Sequence, residues 1–175
     1  MLLQRVYLRR CCTNIRYLGG VLLKTLFIYY TNDDTVGELC RKSASVKTDV
    51  CELRDLSGGS FAGRILNAVR GVCTDISGVA ADAGDYESIV FAFDGRFGVT
   101  PSALNTFIRD NDLRYKKIYS LIFGEGRAAK HASDSFKSRV SLSGGTVSST
   151  VHVPVRQFKD DEEDALYFVR HSLTV

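Results

Sequence analysis

Residues 27–39 read FIYYTNDDTVGEL. The apolar run Phe27 to Tyr30 has the length and the aromatic and β-branched content of a buried strand. A polar turn follows. Beyond it Val36, Leu39 and Cys40 recur at the spacing of one helix face, which predicts a helix over 35–43. A turn between a strand and a helix can hold an anion, because the helix start offers free backbone N–H groups. Glycine and hydroxyl residues suit that task. Here the centre of the turn is Asp33-Asp34, two carboxylates where an anion would sit.

The same alternation of short apolar runs and helical patterns continues along the chain. Strands are predicted at 25–30, 50–56 (VCELRDL), 88–93 (SIVFAF), 117–123 (KIYSLIF) and 146–153 (TVSSTVHV). The third is apolar almost throughout, so it belongs in the middle of a sheet covered on both faces. The fifth is more polar and belongs nearer an edge. Helices are predicted at 61–72, with Phe61, Ile65, Leu66 and Val69 as its stripe, after Thr100-Pro101, around 128–140 and at 161–173. Thr100 is read as a cap, with Pro101 in the first turn. The acidic opening DDEED of the last helix suits a helix N-terminus. Residues 73–87 read as loop. This pattern predicts an α/β domain: a doubly wound, five-stranded parallel sheet in the order 2-1-3-4-5. In that order a site lies beyond the carboxyl ends of strands one and three, at residues 31–36 and 94–98, with 124–126 beside them.

Length and composition fit this reading. The chain has 175 residues, 45% hydrophobic and 25% charged, with a net charge of +3, as expected of one globular domain. No apolar run approaches the roughly 18 residues of a membrane span. The first 30 residues hold five bases and no acid, which leaves 18 bases against 20 acids in the rest. The body carries no basic excess and gives no sign of nucleic-acid binding. Residues 1–23 are read as a basic extension, disordered or an over-long start, preceding a domain at 24–175. Their composition also fits a transit-like or membrane-surface segment. The five cysteines form no CxxC pair and fit neither a zinc site nor a disulfide framework. Buried thiols at Cys40 and Cys51 and a reducing, cytoplasmic setting are expected.

With these residues in view, the stretch from 24 to about 170 resembles the flavodoxin-like family. YESIVFAFDGRFGVTPSALNTFI (86–108) and LIFGEGRAAKHA (121–132) are similar to the segments that carry its second and third flavin-contacting loops. The resemblance implies FMN as cofactor, with electron transfer or flavin-dependent reduction as the activity and an unspecified redox or protein partner. The implied FMN loops are Thr31, Asn32, Asp33, Asp34, Thr35 and Val36; then Asp94, Gly95, Arg96, Phe97 and Gly98; then Gly124, Glu125 and Gly126. Thr31, Gly98, Gly124 and Gly126 match the family pattern. Asp33, Asp34 and Val36 depart from a loop of hydroxyls and glycine. Asp94 replaces a Pro-type residue, and Arg96 stands where an aromatic would cover the flavin. The resemblance thus implies a degenerate phosphate loop, in which an aspartate caps its own helix.

Two further readings stay open at this point. One is a flavodoxin-like binding module without cofactor. The other is a receiver-like domain in which Asp33, Asp34 and Asp94 hold Mg²⁺, since a hard cation wants oxygen ligands. Against the latter, Gly124 and Val153-Pro154 replace the Thr or Ser and the Lys-Pro that such a domain resembles. His131, His152 and His171 lie in no catalytic or metal pattern, and no catalytic residue can be assigned. Tyr29 and Tyr30 could face a flavin or fill the core.

Overall fold

The computed structural model describes residues 25–42, 48–58, 60–78 and 82–154. Seven strands and four helices follow one another: β1 (Thr25–Tyr30), α1 (Asp34–Lys42), β2 (Thr48–Glu52), β3 (Arg54–Asp55), α2 (Phe61–Arg70), β4 (Ile76–Ser77), β5 (Ser88–Asp94), α3 (Ser102–Asp110), β6 (Lys117–Phe123), α4 (Gly126–Leu142) and β7 (Val147–Val153). Five strands form one parallel sheet in the order β2-β1-β5-β6-β7. β5, the most apolar strand, lies at its centre. The predicted helix at 161–173 and the segment 1–23 lie outside the described residues.

Strand residues alternate between the two faces, and both faces are buried. Leu26, Ile28, Phe91, Phe93 and Ile122 meet Leu104, Phe107 and Ile108 of α3 and Phe136 and Val140 of α4. Phe91 packs edge-on against Phe107 at 5.9 Å and in a tilted arrangement against Phe136 at 5.2 Å. On the other face Phe27, Tyr29, Val90, Ala92, Leu121 and Phe123 meet Val36, Leu39 and Cys40 of α1. Helices therefore cover both faces, as a sheet of near-continuous apolar strands requires. The cysteines at 40, 51 and 73 are free thiols, the first two buried.

The structure corrects five expectations. The second strand does not run from 50 to 56. Leu53 still donates its N–H to the Tyr29 carbonyl at 2.9 Å, but β1 then ends and the edge strand loses its partner. Arg54 and Asp55 pair instead with Ser77 and Ile76 in a two-stranded antiparallel ladder. Residues 73–87 are thus more than loop, and 83–85 add a 3₁₀ turn. Gly78 closes this ladder at φ +94°; a Cβ there would lie 1.9 Å from the Glu52 carbonyl oxygen.

Thr100 does not cap α3. Its hydroxyl pairs with the Ser135 hydroxyl at 3.0 Å, and Pro101 is the N-cap, which supplies no side-chain bond. In α2, Leu66 and Val69 are exposed rather than part of a buried stripe, and Ala68 is buried, while the Phe61 side chain lies outside the described residues. α2 packs sideways on α3, so a narrower face of it is covered. Finally, α4 starts at Gly126, two residues before the predicted boundary, and takes the last residue of the third candidate loop.

Candidate functional site

β1, β5 and β6 end at the same edge of the sheet, so the three candidate loops emerge side by side. After β1 the chain turns through Thr31, Asn32 and Asp33. The Thr31 hydroxyl accepts the Asp33 N–H at 3.0 Å, a local turn that hydroxyl residues favour. The Asp33 carbonyl accepts the first bond of α1, from Gly37 N–H at 2.9 Å. Asp33 thus stands at the N-cap position, and Asp34, exposed, opens the helix beside the positive end of its dipole. Val36 faces the core rather than the crevice. Thr35 lies in the first turn.

The second loop approaches from β5. Gly95 is buried and donates to the Phe123 carbonyl at 2.8 Å. A side chain there would put a Cβ 2.4 Å from Ile122 Cγ2, so glycine lets this loop lie flat on β6 and α4. Gly98 closes the turn at φ +71°, with its N–H on the Gly95 carbonyl at 3.1 Å. Gly124 at φ +149° and Gly126 at +70° shape the third loop. Glu125, exposed, is the N-cap of α4 and makes no side-chain cap bond.

The charged residues converge between the first two loops. Arg96 donates its backbone N–H to Asp94 Oδ1 at 2.9 Å, and Nε to both carboxylate oxygens at 2.9 and 2.8 Å. Its Nη2 also bonds Asp94 Oδ2 and lies 3.8 Å from Asp33 Oδ2. The Arg96 side chain is half exposed, whereas Asp33 and Asp94 retain 23% and 12% of their side-chain exposure. Hydrogen bonding to Asp94 raises the Arg96 pKa further above its ordinary value. Asp33, Asp94 and Arg96 together carry a formal charge of about −1, and Asp34 next in the chain adds another negative charge.

This geometry bears on the two ligands considered from sequence. Among the described residues no group of three acidic, histidine or cysteine side chains is arranged to hold a metal ion. Arg96, a cation, bridges Asp33 and Asp94 in place of one. At the turn 31–34 an aspartate occupies the N-cap, and the Arg96 guanidinium beside it is engaged by Asp94. In the second loop Phe97, between the arginine and Gly98, is exposed.

A second feature lies against these loops, and sequence gave no sign of it. Between the ends of β1 and β5 and helix α2 there is a small open pocket of about 50 Å³, to which Asn32, Asp94 and Phe97 also contribute. Tyr30 lines it, while Tyr29 is buried on the other face with its hydroxyl donating to Glu52 Oε2 at 3.1 Å. Burial raises the Tyr30 pKa, with contributions from Asp55 and, in the opposite sense, Arg64. Arg64 and Asp55 come from separate segments, so no sequence motif joins them to Tyr30. His131 and His152 are exposed, and His131 lies beside the second loop: a Cβ on Gly98 would be 3.6 Å from its own Cβ.

No model of a known family and no curated protein matches this chain. Solved structures do match. The flavoprotein of Lactobacillus acidophilus NCFM in complex with FMN superposes with a TM-score of 0.63 at 18% identity, over 74% of this chain and 92% of the other. The apo-form of that flavoprotein gives 0.62 at 17%, over 80% and 98%. A Bacteroides uniformis ATCC 8492 protein gives 0.63 at 15%, over 84% and 97%. The chain has the flavodoxin-like fold. No helix among the described residues is long and apolar enough to cross a membrane.

Proposed function

We propose that the chain is a flavodoxin-like protein that associates with FMN only weakly, for electron transfer or flavin-dependent reduction. The carrying observation is the Asp33–Arg96–Asp94 cluster. The glycine loops 95–98 and 124–126 are the surface proposed for the flavin ring, with Phe97 against it. Thr31, Asn32, Asp33, Asp34 and Thr35 are the residues proposed to face the phosphate. Bound FMN would supply one- and two-electron redox chemistry. The chain's own part is to orient the ring and to set how tightly the phosphate is held.

A phosphate monoester carries close to two negative charges at neutral pH. Two unit charges 4 Å apart interact by about 1 kcal/mol in water and about 4 kcal/mol near a protein surface. Two aspartates at the phosphate turn therefore reduce affinity by several decades. Arg96 offsets little of this while Asp94 holds it. The same observation favours a second reading, in which affinity is lost altogether and the domain serves as a cofactor-free binding module.

The test is an FMN fluorescence titration of the unmodified chain and of Asp33→Thr with Asp34→Gly. The double variant removes two charges and lets position 34 adopt a positive φ. FMN affinity is expected to rise at least about tenfold, and more at low salt than at high salt. Riboflavin, without a phosphate, should gain little. Tight FMN binding by the unmodified chain would overturn the proposal. Undetectable FMN and riboflavin binding by both proteins would favour the cofactor-free module.

A further inference from the structure

Helix α2 is complete in itself but loosely attached. Ser60 caps its start, its hydroxyl accepting the Gly63 N–H at 3.2 Å. At its end Gly71, at φ +67°, and Val72 donate their N–H groups to the Ala68 and Asn67 carbonyls. Yet among the described side chains α2 supplies none to either hydrophobic cluster of the sheet. The element it chiefly touches is α3. Among those side chains Ala68 is its one buried apolar residue, while Leu66 and Val69 face solvent.

The contact beneath it is polar and incompletely satisfied. Five buried side-chain atoms have no hydrogen-bond partner among the described residues: Arg64 Nε, Thr74 Oγ1, Ser102 Oγ and both amide atoms of Asn105. All belong to α2, to the segment just after it, or to α3. Ser102 and Asn105 stand three residues apart on one side of α3. A buried polar group without a partner carries a desolvation cost that water would relieve. Lifting α2 from α3 lets water in and gives up little apolar contact beyond Ala68, together with the bond from Arg64 to the Tyr30 hydroxyl. This interface therefore opens more readily than those of α3 and α4 with the sheet.

The chain on both sides of α2 is anchored. Arg54 and Asp55 pair with Ser77 and Ile76, and the Leu56 N–H reaches the Asp75 carbonyl at 2.8 Å. Thr74 is tied to α3 through the Thr106 hydroxyl, which accepts its N–H at 2.9 Å and donates to its carbonyl at 2.7 Å. The stretch between Leu56 and Thr74 is thus a flap whose two feet are joined by the β3–β4 ladder. Each foot has a glycine near it: Gly58, where a Cβ would meet nothing within 4 Å, and Gly71 in the left-handed region.

We propose that α2 is a hinged lid at the carboxyl end of the sheet, which swings as a unit about Gly58 and Gly71 and governs entry to the space between it and the first two candidate loops. With the lid down, Arg64, Ile65 and Ala68 face Asn32, Asp94 and Phe97 across only about 50 Å³. Opening widens that space for a ligand approaching the loops. The proposal does not rest on FMN binding, because the opening belongs to the chain alone and is read without ligand.

Hydrogen exchange of the full chain, followed by NMR, tests this. A helix of ten residues is marginal once lifted into water, so its amides exchange from the open state. Those of residues 65–70 should be protected at least about 100-fold less than the slowest amides of α3 and α4. Their exchange should respond little to low denaturant, because opening exposes little surface, and their Cα shifts should stay helical. Ser102→Ala removes a group that gains water on opening. It should slow exchange in α2 by about 3- to 10-fold and leave α4 unchanged. As a second readout, Ala68→Cys should react with a thiol reagent at least about 100-fold faster than Ala132→Cys in α4, each located by peptide mass spectrometry; both alanines are buried. Exchange in α2 as slow as in α4, exchange that needs global unfolding, coil-like shifts over 61–70, unchanged or faster α2 exchange in Ser102→Ala, or equal labelling at 68 and 132 would each overturn the proposal.

Discussion

Arg96 Nη2 lies 3.8 Å from Asp33 Oδ2 while the rest of the guanidinium is held by Asp94. One side chain thereby links the loop after β5 to the start of α1. It also supplies a positive charge between the Asp33 and Asp94 carboxylates.

Arg96→Gln should expose that role. Mg²⁺ at about 10 mM should leave the melting temperature of the unmodified chain unchanged, since the guanidinium already bridges two of the carboxylates. In the variant, Mg²⁺ should raise it. Without Mg²⁺ the variant should lose no more than about 1 kcal/mol, as expected for an ion pair that is half exposed on one side. Thermal melts with and without Mg²⁺ decide this, and a clear Mg²⁺ response in the unmodified chain would restore the cation-site reading of Asp33, Asp34 and Asp94.

Gly95→Ala should destabilise the fold by about 1–3 kcal/mol through overpacking. The added Cβ would lie 2.4 Å from Ile122 Cγ2 and 3.4 Å from Ala129 Cα, and Ile122 is fully buried. Gly58→Ala, with nothing within 4 Å, should stay within about 0.5 kcal/mol of the parent. Urea denaturation of the two variants makes the comparison, and equal stabilities would show that the loop can move away from β6.

Phe136→Ala should be the most damaging of these changes, at about 3–5 kcal/mol. Phe136 is fully buried and contacts both Phe91 and Phe93, at 5.2 and 5.4 Å. Leu66→Ala and Val69→Ala, both on the exposed side of α2, should each cost less than about 1 kcal/mol. If Leu66→Ala proves as costly as Phe136→Ala by denaturant midpoint, α2 has been assigned the wrong face.

Alkaline pH should destabilise the protein through its buried acids. Burial pushes the Cys40 thiol up from 9.0 to about 12, and it also raises Tyr30 above 10.0. Both groups fold in the protonated form. Their contribution is fully present below the unfolded values and is lost as pH rises from there through the folded values. Melting temperatures should therefore change little on this account up to pH 9.0 and fall above it. Cys40→Val should fall less steeply. An identical decline in parent and variant would remove Cys40 as a cause. The same shift predicts slow labelling of native Cys40 by thiol reagents at pH 8, because the thiolate is the reactive form.

The near-continuous apolar runs at residues 25–30, 88–93 and 117–123 were enough to place three parallel strands, because strands buried on both faces must be apolar throughout. The spacing of Val36, Leu39 and Cys40 placed the core face of α1 for a similar reason: three- and four-residue steps recur on one side of a helix. Local patterns of this kind reach only as far as hydrogen bonds and faces along one segment. They did not show where β2 would lose its partner, since that depends on where β1 stops. Nor did they show that Thr100 turns to Ser135 of α4 rather than to its own helix. The acid pair Asp33-Asp34 was visible in sequence as a misfit to an anion turn. The guanidinium that reaches it was named as a residue but not as a partner. Arg96 meets Asp33 only because β1 and β5 are hydrogen-bonded neighbours, and Arg64 and Ser102 line one pocket only because α2 packs on α3. Contacts between segments far apart in the chain leave no periodic trace in the sequence, and tertiary packing alone decided them.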